Sequence, residues 1–374
     1  MLARSLVIAK KELLQLRRDH MTLAMMVVLP LLQLLLFGYA INTDVRHIPT
    51  LVFDQDGSAQ SRDLARSLAA TGFYDLVGRV DGYPEIARAL ASGRARAALV
   101  VPPRYASNLA SGRPSTLQLV VDGSDPQVVA SATNSAGSLV GARSLTLMLA
   151  HGSATGPMLT EPIRLEPTIW YNPELRTAVY VVPGLVGVIL TMTMVMLTAM
   201  AIARERERGT LEQLIVSPVR RLELIVGKIV PYVSIGYVQM TIILLAGWLV
   251  FGVPILGSLF TLYALALVFI AANLSLGLFF STVAQTQQQA MQMSFFFLLP
   301  NMLLSGFMFP FEAMPRPAQW IGQALPLTHF LRIVRGIALK GVGIVDLLPE
   351  LAWMGGLLVL LVSLASLRFS KKLA

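Results

Sequence analysis

Few residues of this chain have the types and spacing that chemistry needs. The four histidines, His20, His47, His151 and His329, lie far apart and in no metal-ligand spacing; interface snorkelling or capping is the role expected of them. Cysteine is absent from all 374 residues, which excludes thiolate metal sites, cysteine nucleophiles and disulfides and leaves the redox compartment open. The Gly227-Lys228 pair would suit a phosphate-cradling Gly-x4-Gly-Lys-Ser/Thr loop, but Leu222 stands where the first glycine belongs and Ile229 where the hydroxyl residue belongs. The chain cannot hydrolyse a nucleotide by that route. Its apolar stretches hold no Asp, Glu, Lys or Arg, the groups that proton-coupled carriers and intramembrane hydrolases require. Gln239, Asn273, Asn301 and several Ser and Thr are among the polar groups there, and they suit bonding between helices.

The densest polar signal is the loop 204–228, which begins Arg204-Glu205-Arg206-Glu207-Arg208-Gly209-Thr210-Leu211-Glu212-Gln213-Leu214-Ile215 and continues through Ser217-Pro218 to Lys228. Gly209 stops one helix. Thr210 with Gln213 three residues later forms a capping box, and Ser217-Pro218 pairs an N-cap with a proline at the first helical position. A short helix over Leu211 to Val216 is therefore predicted to lie across the membrane surface. Its apolar Leu211, Leu214 and Ile215 have no spanning role and are free to face a partner, whereas a turn that merely enforced topology would need neither the starts nor the stripe.

The elements that position this loop follow from composition. Apolar residues make up 55% of the chain and charged residues 14%, against about 25% charged in a soluble domain. This is a membrane protein with a soluble part. The net charge of +9 does not mark a nucleic-acid surface, because the stretch Asn42 to Thr177 is neutral, with 12 Arg and 12 Asp+Glu, and the excess lies in and around the apolar segments. A helix needs about 20 apolar residues to cross roughly 30 Å of hydrocarbon, and six stretches approach that length: 21–41, 180–203, 229–251, 255–280, 291–309 and 351–367. The last is short unless it starts near Leu347.

Lys and Arg in the N-terminal flank, the loop 204–228 and the C-terminal tail fall on one side of six spans, so both termini are expected to be cytoplasmic. Arg316, Arg332, Arg335 and Lys340, in the segment after span five, run against that rule. A cleaved signal peptide is the competing reading of the start, but its apolar run of about 20 residues exceeds the 7–15 of a signal core. Residues 1–20 carry an apolar stripe, Leu2, Leu6, Ala9, Leu13 and Leu16, opposite basic side chains, which fits an amphipathic interfacial helix. Span 21–41 follows. Residues 42–177 alternate strand and helix patterns punctuated by Ser-Gly, Asp-Gly and Pro, and form the expected extracytoplasmic α/β domain. Pro126 to His151 is predicted as one long helix and Pro162 to Pro173 as an extended return. Residues 178–374 hold the other five spans, with 311–345 as a helical hairpin dipping into the outer leaflet. The fold class is an α-helical polytopic membrane protein of six transmembrane helices, with the α/β domain inserted between spans one and two.

The loop from Arg204 to Leu214 with its Ser-Pro and Gly-Lys resembles the cytoplasmic loop of ABC-2 type permeases, the membrane subunits of ABC exporters. Tyr171-Asn-Pro-Glu-Leu-Arg176, Val182-Pro-Gly184, Gln285-Thr-Gln-Gln-Gln289, Leu304-Ser-Gly-Phe-Met-Phe-Pro310 and Met314-Pro315 carry the same resemblance over about 170–374. It implies that Leu211 to Val216 is a coupling helix seated in a nucleotide-binding subunit, with Glu205, Glu207, Gly209, Thr210, Leu211, Glu212, Gln213, Leu214 and Ile215 as partner-binding residues. Residues 1–20 would be an elbow helix and 311–345 a re-entrant hairpin. ATP and Mg would sit in two copies of a separate ATP-binding subunit, with no cofactor in this chain, and a second permease copy or paralogue would complete the exporter. Membrane lipids surround it, a periplasmic adaptor is a further partner open to it, and nucleic acid is not one. The location implied is the cell inner membrane.

The path for an apolar or amphipathic cargo such as a drug or lipid is expected between span two, with Met192, Met196 and Met200 at steps of four and Thr193 near that face, and span five, with Met291, Met302, Ser305 and a kink at Pro300 and Gly306. Ordinary helix packing would give a methionine stripe too. The rival from another class is a signalling or mechanotransmission protein that couples external binding to a cytoplasmic partner without transport.

Overall fold

The computed structural model describes residues 45–155, 161–207, 209 and 221–368. The expected elbow helix, the span 21–41 and the coupling helix over Leu211 to Val216 lie outside the described residues.

The alternating apolar pattern of residues 45–170 builds a five-stranded sheet, β1 (Ile48–Asp54), β2 (Tyr74–Arg79), β3 (Ala97–Val101), β4 (Ser115–Asp122) and β5 (Ile163–Trp170), in the order β2-β1-β3-β4-β5. Every neighbouring pair is parallel except β3 with β4. Because strand side chains alternate faces, Ala97, Leu99 and Val101 of β3 join Leu117, Leu119 and Val121 of β4 on one face. Ala98, Val100 and Val120 join the other. Helices α1 (Ala59–Ala70), α3 (Tyr105–Ala110) and α4 (Pro126–Thr155) cover the first face through Leu64, Leu68, Tyr105, Val128 and Val129, and α2 (Tyr83–Ala91) covers the second through Ile86 and Leu90. Each such aliphatic contributes about 1.5–3 kcal/mol by leaving water. Pro162 to Pro173 was expected only to be extended, and it pairs as β5 along the whole of β4.

A turn then feeds α5 (Thr177–Glu207). Its Asn172 side chain accepts from the Arg176 backbone N–H at 3.0 Å and donates to the Arg176 carbonyl at 3.2 Å, with Tyr171 and Leu175 at φ 68° and 50°. After α5 come α6 (Arg221–Phe251), α7 (Leu259–Val283), α8 (Gln287–Leu304), α9 (Arg316–Gln323), α10 (Pro326–Lys340) and α11 (Leu348–Arg368), the last preceded by a 3-10 turn, Ile344–Leu347. Among the described residues four helical stretches are long and apolar enough to cross a membrane: Thr177–Glu205, Pro231–Phe251, Leu259–Val283 and Ile344–Ala365. The last span thus begins before Leu347, which gives it the length it needed.

The expected continuous span 291–309 is corrected. Thr286 caps α8 by accepting from Gln289 N–H at 3.1 Å, so the helix starts at Gln287. At the other end Ser305 closes it and Gly306, at φ 86°, turns the chain, so Gly306 terminates the helix rather than kinking it. Within 311–345, where a re-entrant hairpin is expected, the chain forms two helices, α9 and α10, broken at Ala324-Leu325; this helix pair is called the hairpin.

Helix α5 packs against α6, α7, α8 and α10. Close approach is set by glycines: a side chain on Gly277 of α7 would meet the Val195 carbonyl of α5 at 2.5 Å, and one on Gly184 would meet the Phe307 ring at 2.6 Å. Phe269 of α7 stacks on Phe330 of α10 at 4.0 Å between ring centroids at the centre of this core.

Candidate functional site

The C-terminal end of α5 is tied to the start of α8. Gln287 donates to Glu207 from its backbone N–H at 2.8 Å and from its side-chain amide, and Arg204 Nε donates to the Gln287 Oε1 at 3.0 Å. The bonds from the Gln287 side chain and backbone hold the Glu207 carboxyl below the usual range. Gly209, at φ 66°, ends this arm where sequence placed the helix stop. Of the expected partner-binding residues, Glu205, Glu207 and Gly209 are thus at the mouth of the loop; Thr210, Leu211, Glu212, Gln213, Leu214 and Ile215 lie outside the described residues.

The expected path residues divide. Met192 is 43% exposed, and Met196 and Met200 are half-buried along α5. Thr193 is engaged between helices, its hydroxyl 2.9 Å from Gln239 Oε1 of α6 and bonded to the Ile189 carbonyl. Met302 is half-buried against the membrane core, and Ser305 is buried with its hydroxyl on the Met302 carbonyl at 3.3 Å.

At the opposite end of the helices, the α/β unit meets the hairpin around an open-sided cavity of about 410 Å³. Lys340, at the last turn of α10 and 6% exposed, donates to Asp122 Oδ2 at 2.6 Å and to the Leu90 carbonyl at 2.9 Å. Arg96 reaches the same Asp122 oxygen at 2.9 Å and Glu312 at 3.1 Å. Burial pushes the Asp122 carboxyl up, but Lys340 and Arg96 outweigh it and hold the group at about 2. Burial likewise opposes the Arg96 charge, and Glu312 and Asp122 raise it well above its usual range. For Lys340 burial wins and lowers the ammonium. On the hairpin, Arg332 bonds Glu350 at 3.0 Å and lies 4.7 Å over the Phe311 ring. His329 is fully buried, with Nδ1 on Glu350 and Nε2 2.9 Å from the Gln323 carbonyl. Of the two roles expected for this histidine, snorkelling is corrected, since an imidazole with both nitrogens engaged inside the protein has no reason to reach water, and its Nε2 instead caps the last carbonyl of α9. His47 is on the surface, 3.0 Å from Asp75.

A model of the family described as "ABC-2 family transporter protein" matches residues 20–367. The chain belongs to the ABC-2 transporter family. It is 31% identical over 333 residues to the probable multidrug ABC transporter permease YbhR of Escherichia coli (strain K12), covering 88% of each chain. The probable multidrug ABC transporter permease YbhS of the same organism is 27% identical over 97% of this chain and 96% of that one, and the inner membrane transport permease YhhJ 27% over 86% and 85%. These relatives are permeases, and membership of the ABC-2 family implies an ATP-binding partner subunit and pairing of two permeases.

The segments that carried the ABC-2 resemblance turn out to touch one another. Gly184 of Val182-Pro-Gly184 leaves the space that Phe307 of the Leu304-to-Pro310 segment fills, and Tyr180 donates to the Phe307 carbonyl at 3.0 Å. Arg176 donates to the Phe251 carbonyl, so the turn at 171–176 also fastens the end of α6. Gln289 closes the α8 start by accepting from Gln285 N–H at 2.9 Å. What sequence reasoning missed is the ionic joint of Arg96, Asp122, Glu312 and Lys340. Its signal was there: two of the cations of 311–345 that broke the charge rule, Lys340 and Arg332, have their partners on the α/β unit and on α11.

Proposed function

We propose that this chain is the transmembrane subunit of an ATP-driven exporter that moves an apolar or amphipathic substrate outward. In this reading both termini are cytoplasmic in the inner membrane, residues 42–177 lie outside between spans one and two, and the six-span permease pairs with a second copy or a paralogue. Two ATP-binding subunits, holding ATP and Mg, engage Glu205 to Ile215 and leave no enzymatic step to this chain. The external unit is the docking surface open to a periplasmic adaptor. The names of YbhR and YbhS as multidrug permeases favour drug- or lipid-like cargo.

The observation that carries the reading is the bond set of Glu207 and Arg204 with Gln287. A push on the loop that leaves α5 would reach the foot of α8 without any intervening flexible segment, and both helices carry the expected path residues, Met192, Met196, Met200, Met302 and Ser305.

The test is reconstitution with the partner ATPase. Each buried aliphatic of the coupling helix is worth about 1.5–3 kcal/mol, so Leu214→Asp should release the ATPase or leave it hydrolysing without transport. Normal co-purification and transport by that variant would refute the assignment. Cysteines at Met196 and Met302, in this cysteine-free chain, should crosslink between protomers and stop export; crosslinks formed instead through α6 or α11 would move the path there.

A further inference from the structure

The cavity between the α/β unit and the hairpin is lined by charges that its own wall does not all engage in hydrogen bonds or ion pairs. Arg96, Lys340 and Arg332 are spent on Asp122, Glu312 and Glu350. Four lining charges remain without an ion pair among the described residues: Arg94 and Asp346, which are exposed and solvated, and Arg335 and Asp125, which are not. Arg335 donates one Nη1 bond to the Gly306 carbonyl at 3.1 Å and lies 4.2 Å over the Tyr180 ring, which fixes the guanidinium in place. Its Nε and Nη2 are buried and bonded to nothing. Asp125 is 6% exposed, and its one bond is from the Gln127 N–H to Oδ1 at 3.0 Å. No hydrogen bond or ion pair joins Arg335 to Asp125; both line the same space and act on each other, as Arg96 acts on Asp125, only at a distance.

Two free N–H groups on one edge of a planar guanidinium match two oxygens of a phosphate or carboxylate. A lone buried carboxylate matches an ammonium. A simple anion would satisfy Arg335 and repel Asp125, and a simple cation would do the reverse; leaving either charge buried and unpaired is costly. We infer that this cavity binds a small zwitterion of the phosphoethanolamine type, its phosphate on Arg335 and its ammonium on Asp125. A volume of about 410 Å³ falls in the range of small-ligand sites. Leu331, Val342 and Leu347 supply an apolar side to the same space. The inference goes beyond the export reading and does not require transport.

Equilibrium binding to the purified full-length chain tests it, with three probes: O-phosphoethanolamine, ethyl phosphate, which lacks the amine, and nanodiscs of phosphatidylethanolamine against phosphatidylglycerol. The parent chain should bind O-phosphoethanolamine more tightly than ethyl phosphate. Arg335→Gln should weaken both by about tenfold or more, the loss of a charge-assisted pair. Asp125→Asn should reverse the preference, weakening O-phosphoethanolamine and strengthening ethyl phosphate, a change of selectivity that general damage to the fold would not produce. If Arg335→Gln is not monodisperse, Arg335→Lys and Asp125→Asn decide. Binding of the soluble zwitterion supports a free ligand; retention of phosphatidylethanolamine over phosphatidylglycerol without soluble binding, lost in Asp125→Asn, supports a lipid headgroup. Absence of both, or preferences unchanged by the variants, overturns the proposal.

Discussion

Lys340 and Asp122 are buried against each other across two parts of the chain 218 residues apart. Removing the Asp122 charge leaves the buried Lys340 ammonium without its carboxylate, which costs about 3–5 kcal/mol in buried pairs, so Asp122→Asn should lower the temperature at which the detergent-purified protein loses monodispersity, while Asp81→Asn, an exposed surface change, should not. The pH dependence has a definite sign. The folded Asp122 carboxyl is held at about 2, below about 3.9 when unfolded, so its stabilisation is present above about pH 4 and is lost as pH falls through about 2. Glu312, also lowered against the pull of burial by Arg96, acts in the same sense, and Asp125, raised by burial, acts against it. Tryptophan fluorescence followed from pH 5 to 2 should show a transition in the parent that is diminished in Asp122→Asn. None of these pairings was legible in the sequence, because ion-pair partners are set by tertiary structure and carry no local period. The helix stop at Gly209 was legible, because a glycine after a charged helical run is a local signal.

Among the elements, the alternation of strands and helices in the α/β unit was legible, and the long helix expected from Pro126 to His151 starts at Pro126 and runs on to Thr155. Strands with period-two patterning and helices begun by Ser58 or Pro84 declare themselves locally. The membrane helices were less legible at their ends, since hydropathy continues through Ser305 to Pro310 after the helix has stopped, and what stops it is the positive φ of Gly306. Sequence also gives no hint of which glycines are contact points. Gly277 lies against the α5 backbone, whereas a side chain on Gly356 of α11 would meet nothing within 4 Å. Gly277→Val should therefore separate α5 from α7 at a cost of about 1–3 kcal/mol or more, read as a fall in the yield of monodisperse protein, and Gly356→Ala should leave that yield unchanged.

For the whole molecule, orientation is the property on which the export reading depends. Cysteines placed singly at Ser58 or Ser111 should react with an impermeant thiol reagent on intact cells, and one at Ser217 only after lysis; the opposite pattern would invert the topology. The ABC-2 layout was legible because its motifs are segments of local sequence, while their mutual docking at Gly184 and Phe307 was not. One continuous element joins the two ends of this layout. Helix α5, about 46 Å long at 1.5 Å per residue, starts seven residues after Trp170, the last paired residue of β5, and ends at the Glu207 bonds. A stiff shaft of this kind conducts force in both directions. In the export reading, an antibody fragment gripping β5 and α4 from outside would load the far end of the same shaft, so a drug need never enter the cell, nor compete with cargo or nucleotide, to slow the motor on the other side.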